Sequence, residues 1–172
     1  MTQSTLLSEL PAMRVLENEH RYLSYLMEQW HSIARNLQNC VYTSAQAKEE
    51  MARLRMLLSE FKIPLKKHME KEEAIFFPLL GQYIGYEQGP IMSIEQEHEE
   101  VFAYIDHFLH HSEGDYTPLE MSAISRDACE AFEILTIHFV KEETVLFSLA
   151  AQTLSKPDRN KLYEELHTLI VD

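Results

Sequence analysis

A histidine and a glutamate stand four residues apart twice in this sequence, His68 with Glu72 and His138 with Glu142. In a helix, four residues rise about 6 Å in slightly more than one turn, so each pair points from one face. That face is otherwise apolar. Phe61 and Leu65 precede His68, and Ile75, Phe76 and Leu79 follow Glu72. Ile134 and Leu135 precede His138, and Val145, Leu146 and Leu149 follow Glu142. An imidazole and a carboxylate inside a core-facing stripe need partners, because burying unpaired polar and charged groups is costly. Two more histidines fall in apolar rows of their own: His20 among Met13, Leu16, Leu23 and Met27, and His98 among Ile91, Ile94, Val101, Phe102 and Ile105. Together His20, His68, Glu72, His98, His138 and Glu142 form a set of inward-facing donors that bound metal would satisfy. Imidazole serves several first-row metals, and carboxylate serves the harder ones. Two carboxylates can bridge a pair of cations, with histidines in the terminal positions. Six protein ligands are too many for one tetrahedral zinc. They leave two six-coordinate ions with positions for solvent, an oxo bridge or a diatomic ligand. Two iron ions are the first expectation, manganese the second, with zinc behind.

These donors must be carried by helices. Apolar residues recur with a 3.6-residue period throughout, and the alternation expected of strands is absent. The periodicity predicts five helices. The first runs from about Pro11 to Leu37, with Ser8 as its N-cap. The second starts at a cap on Thr43 or Ser44 and reaches about Leu80, passing through Pro64, which predicts a kink near Glu60. Gly81, Gly85 and Gly89 mark the next connection, and Pro90 opens a third helix to about His111. Thr117-Pro118-Leu119-Glu120 is a capping box that starts a fourth, ending near Leu154. A short fifth helix, about residues 157–170, follows Ser155-Lys156-Pro157 as a lid or side helix.

The chain is also an internal repeat. Leu16-Glu17-Asn18-Glu19-His20 matches Ile94-Glu95-Gln96-Glu97-His98, and the His68/Glu72 stretch matches the His138/Glu142 stretch. Each half is a helical hairpin that carries a lone histidine first and a histidine–glutamate pair second. Two such hairpins predict an all-α fold, an antiparallel up-down four-helix bundle over about residues 10–155 plus the short C-terminal helix. All 172 residues are expected to form one domain.

Composition narrows the function further. A formal net charge of −13 argues against nucleic acid and against an anionic membrane surface. No apolar run is long enough to span a bilayer, and the N-terminal stretch has no basic start or long apolar run of a signal peptide. Cys40 and Cys129 stand far apart in no metal-type spacing, which fits a reducing cytoplasm and inert core or rim thiols. Glu73 and Glu143 sit one position round from the paired glutamates and read as solvated or supporting groups. His31, His107, His110, His111 and His167 lack a consistent apolar row and read as surface. Tyr22, Tyr25 and Tyr104 read as packing residues.

A lone histidine followed by His-x-x-x-Glu, written twice, resembles the hemerythrin-like family, also called the HHE cation-binding domain, over about residues 10–155. The resemblance implies a four-helix bundle with a non-haem di-iron centre whose ligands are His20, His68, Glu72, His98, His138 and Glu142. It further implies a protein that binds or senses oxygen, nitric oxide or iron. Oxygen-carrying members have a fifth histidine four residues after the third-helix ligand, where this chain has Phe102. They also place an aspartate five residues after the last histidine, where this chain has Glu142 at four. Iron–sulfur-repair relatives carry the same four-histidine, two-glutamate set, and often a small paired-cysteine domain that this sequence does not contain. With no obvious substrate-binding segment, a binding or sensing protein is the first expectation. The alternative is a di-iron oxidoreductase or iron–sulfur-cluster repair protein acting under nitrosative or oxidative stress.

Overall fold

The computed structural model describes residues 10–171, and every regular element among them is helical. Helix α1 spans Pro11–Gln38 and α2 spans Ser44–Lys71. A π-helical turn, Glu72–Phe76, continues α2 directly into α3, Phe77–Ile84. Helix α4 spans Pro90–His111 and α5 spans Pro118–Lys141. A second π-helical turn, Glu142–Leu146, joins α5 to α6, Phe147–Thr153, and α7, Lys156–Leu166, follows. Helix α1 packs on α2 and α5, α4 packs on α5 and α2, and α7 lies on α1 and the first π turn.

The local signals explain most boundaries. Thr43 caps α2, accepting from the Gln46 backbone N–H while the Gln46 side chain accepts from the Thr43 N–H. Thr117 and Glu120 form the same reciprocal pair at the start of α5. Such caps satisfy N–H groups that a helix start leaves without partners. Ser8 lies outside the described residues, and the cap position of α1 falls on Leu10, whose side chain makes no capping bond. Helix α2 runs through Pro64 as one helix. The last helix is shorter than the expected 157–170: it starts one residue earlier, capped by Ser155, and stops at Leu166.

The π turns shift the apolar stripe, which an α-helical period alone does not anticipate. The Phe77 N–H bonds back five residues to the Glu72 carbonyl, and the Phe147 N–H bonds to the Glu142 carbonyl. One extra residue per turn moves the inward face along by one position. Phe76, Phe77 and Leu80 are therefore buried, while Ile75 and Leu79 are only partly covered. The second half repeats the slip: Leu146, Phe147 and Ala150 are buried, Leu149 is partly covered and Val145 is exposed.

The apolar interior forms two clusters. One holds Leu23, Met27, Trp30, Phe61, Leu65 and Phe139. The other holds Met13, Leu16, Phe76, Phe77, Leu80 and Phe147. In sequence, each helical run passes from one cluster to the other across the stretch that carries its donors, at the lone histidine in α1 and α4 and at the glutamate after α2 and α5. Full burial of a large apolar side chain contributes roughly 1.5–3 kcal/mol, and the two clusters hold the polar layer between them. Tyr22 and Tyr25 are exposed, so these two rings do not act as core packing, whereas Tyr104 is packed against the first cluster.

Candidate metal centre

All six predicted donors are buried, and they come together. Their ligand atoms form two overlapping groups, each within 4.8 Å: His20, His68, Glu72 and Glu142, and Glu72, His98, His138 and Glu142. Both glutamates belong to both groups. Each group adds one lone histidine and one paired histidine from the same hairpin, so the repeat in the sequence becomes a two-fold pattern in space. The His20 and His68 ring centroids are 4.8 Å apart, as are those of His98 and His138. His68 Nε2 lies 3.0 Å from Glu72 Oε1, and His138 Nε2 is in close contact with Glu142 Oε1. His20 Nε2 lies 3.5 Å from Glu142 Oε2, and His98 Nε2 lies 3.6 Å from an oxygen of each glutamate.

Most of the inward atoms lack protein partners; the exception is His98 Nε2 and His138 Nε2, which lie 3.1 Å apart. His20 Nε2, His68 Nε2 and all four oxygens of Glu72 and Glu142 are buried without a hydrogen bond. Buried polar atoms in native proteins are normally satisfied. Six convergent nitrogen and oxygen atoms in this condition fit a pair of first-row cations, and the mixed imidazole and carboxylate set fits iron or manganese.

The outward atoms are all occupied. Each histidine presents Nδ1 to a glutamate: His20 to Glu143 at 3.2 Å, His68 to Glu19 at 2.8 Å, His98 to Glu73 at 2.8 Å, and His138 to Glu97 at 3.4 Å. Glu19 and Glu97 serve the paired histidine of their own half, whereas Glu73 and Glu143 serve the lone histidine of the other half. An Nδ1–H donated to a carboxylate leaves Nε2 with its lone pair free to bind a cation, and fixes the ring. Glu73 and Glu143 thus support the donors. The rings are also clamped by stacking. His20 lies 4.2 Å from Phe139 and 5.6 Å from Phe147, and His98 lies 5.8 Å from Phe77. Phe77 and Phe147 are the residues that the π turns rotate inward.

Glu19, Glu97, Lys71 and Lys141 were not singled out by sequence reasoning. Lys71 Nζ donates to Glu19 Oε2 at 2.5 Å, and Lys141 Nζ donates to Glu97 Oε2 at 2.9 Å. The signal was the repeat itself, since Glu-His recurs at 19–20 and 97–98, and Lys-Glu-Glu at 71–73 and 141–143.

In the metal-free cluster, protons take up the charge. Burial pushes the Glu72 carboxyl well above its ordinary range, and the neighbouring Glu142 pushes it further. Burial acts the same way on Glu142. The His138 imidazole beside it, with His20 and Glu72 also close, outweighs burial and holds Glu142 well below the ordinary range. Burial disfavours the charged form of His138, yet the carboxylates around it raise its pKa to about 10. His20 and His98 are raised in the same way, against burial, by Glu142 with Glu143 and by Glu142 with Glu73.

The hemerythrin HHE cation-binding domain matches residues 12–150, most of the chain. Among curated proteins, the chain is similar to the iron–sulfur cluster repair protein YtfE of Salmonella newport, Salmonella heidelberg and Salmonella agona. It is 34% identical to each over 91 residues, covering 50% of this chain and 41% of the relative. The matched stretch is therefore less than half the length of these relatives. No solved structure matches significantly.

Proposed function

The chain belongs to the hemerythrin HHE cation-binding family, and from that premise we propose that it is a di-iron protein that binds or senses a small ligand such as oxygen or nitric oxide. The observation that carries this reading is the sharing of Glu72 and Glu142 between the two donor groups. His20 and His68 would hold one ion, His98 and His138 the other, and the two glutamates would bridge them. Iron held this way supplies redox chemistry and coordination positions for a diatomic ligand. The chain's own residues do the rest. Phe77, Phe139 and Phe147 exclude water from the rings, and Glu19, Glu73, Glu97 and Glu143 fix the Nδ1 protons. We read the four long helical runs as an up-down antiparallel bundle in a single domain, with α7 as part of it.

A second reading is repair of damaged iron–sulfur clusters. It is favoured by the four-histidine, two-glutamate set and by the likeness to YtfE, an iron–sulfur cluster repair protein. The test is to add nitric oxide or oxygen to anaerobically reduced, iron-loaded protein and follow the absorption spectrum. The first reading expects a stoichiometric, saturable change; no change with either gas sinks it. Restoration of a damaged iron–sulfur enzyme by catalytic amounts of the protein would move the assignment to the second reading.

A further inference from the structure

The two donor groups match in type and differ in what stands behind them. Two of the outer glutamates are similarly exposed: Glu73 at 38% behind His98, and Glu143 at 34% behind His20. The other two are not equivalent. Behind His68, Glu19 is held by Lys71, which is 8% exposed; behind His138, Glu97 is held by Lys141, which is 43% exposed. A buried ammonium needs acceptors for all its protons, and Lys71 has three. It donates to Glu19, to the Leu166 carbonyl at 2.9 Å, and to the Thr168 carbonyl. Both carbonyls belong to the end of α7 and the segment after it.

That C-terminal segment is seated at both ends. Leu162 and Leu166 join the apolar cluster on one side of the polar layer, and Ile170 joins the cluster on the other side. Beyond α7, Ile170 and Val171 line a cleft of about 480 Å³ with Trp30, Phe61 and Pro64. Upstream, the Tyr83 hydroxyl bonds Ser155 and Asp158 at the start of α7, and Arg159 donates to the Leu154 and Ala151 carbonyls. The segment therefore crosses the level of the donors on the His68 side and closes over Lys71.

We propose that the C-terminal segment is a lock on one half of the centre. Its carbonyls hold Lys71, Lys71 holds Glu19, and Glu19 holds His68, so the His20/His68 position retains its ion while the His98/His138 position exchanges it. An ion would leave when a histidine swings away and water enters, and among the described residues only the His68 tether is sealed by a second segment of chain. Lys71 and Glu19 are positioning residues here, acting through His68. The inference rests on the two-ion reading above.

The test is the time course of metal transfer from fully loaded protein to a chromogenic chelator in excess. The native chain is expected to release its metal in two equal phases. Removing residues 166–172, which takes away both carbonyls, should speed the slow phase by roughly tenfold or more, the scale on which supporting contacts act at metal sites, and leave the fast phase unchanged. Ile170→Ala keeps the carbonyls but loosens their anchor, and should act on the same phase more weakly. Leu119→Ala, at an exposed position at the far start of α5, should leave both phases alone. Circular dichroism checks that each variant is folded, and Ile170→Ala carries the test if the truncation is not. Single-phase release by the native chain overturns the lock, as do tail variants that speed both phases alike or neither. A native chain that loads fewer than two ions overturns the two-ion reading instead, so the two failures are distinguishable.

Discussion

Four histidines in this protein each hold a glutamate with one nitrogen and point the other into a shared polar layer. At this scale the supporting carboxylates should matter almost as much as the donors. Burial raises the Glu97 carboxyl, but hydrogen bonds from His138 and Lys141 outweigh it and keep it below its ordinary range. Glu97→Gln weakens that support, and metal affinity should fall roughly 10- to 100-fold, measured by chelator competition. A fall of less than twofold would remove Glu97 from the account. The metal-free protein should also show a defined pH response. His20, His98 and His138 have raised values in the fold, so their stabilising contribution is complete below the ordinary value of 6.5. It is lost as pH rises towards the folded value, about 10 for His138. Glu72 is raised too and contributes with the same sign, whereas Glu142 is lowered, and its contribution disappears as pH falls below the ordinary 4.5. The melting temperature of metal-free protein should therefore fall from about pH 6.5 to pH 9; a rise over that interval contradicts the proton-filled cluster. The donors were legible in the sequence because a histidine interrupts an apolar row in each of four places. Glu19 and Glu97 were not, because a glutamate beside a histidine looks like any solvated residue until two helices are laid together.

At the scale of elements, the caps and the π turns divide what sequence can and cannot give. Thr117-Pro118-Leu119-Glu120 announces the start of α5, and the structure makes both of its reciprocal hydrogen bonds. Thr117→Ala should cost about 1 kcal/mol and lower the melting temperature by about 2–4 °C; an unchanged midpoint would mean the cap carries no weight. The π turns announce nothing, because periodicity counts residues and assumes an α-helical step. They begin at Glu72 and Glu142, the two shared carboxylates, and bring Phe77 and Phe147 against the lone histidine of the opposite half. The extra residue thus serves the site directly: it lets the helix present Glu72 and then, five residues later, a ring on the same side. The end of the last helix was overestimated because Leu169 and Ile170 continue an apolar pattern. The chain instead leaves the helix at His167, and its carbonyls turn toward Lys71.

The whole molecule is an acidic helical assembly of which no described helix is long and apolar enough to cross a membrane. Its net charge of −13 repels itself, and two divalent cations at the proposed centre would relieve part of that repulsion while satisfying buried atoms. Metal bound only to the folded state stabilises it by mass action. Removing it should lower the melting temperature by several degrees, and restoring iron should reverse the change; equal midpoints with and without metal would argue for a merely structural polar layer. The helices and the repeat were readable because 3.6-residue periodicity and duplicated motifs are local signals. The inequivalence of the two halves was not, because it depends on a carbonyl nearly a hundred residues from the lysine it holds. The central claim is that Glu72 and Glu142 are shared by two ions, and counting iron per chain after anaerobic loading with ferrous salt tests it most directly. The account predicts two irons in the native chain and a loss of both when Glu72→Ala and Glu142→Ala are combined. A native chain that holds one iron or none, or a double variant that still holds two, contradicts it.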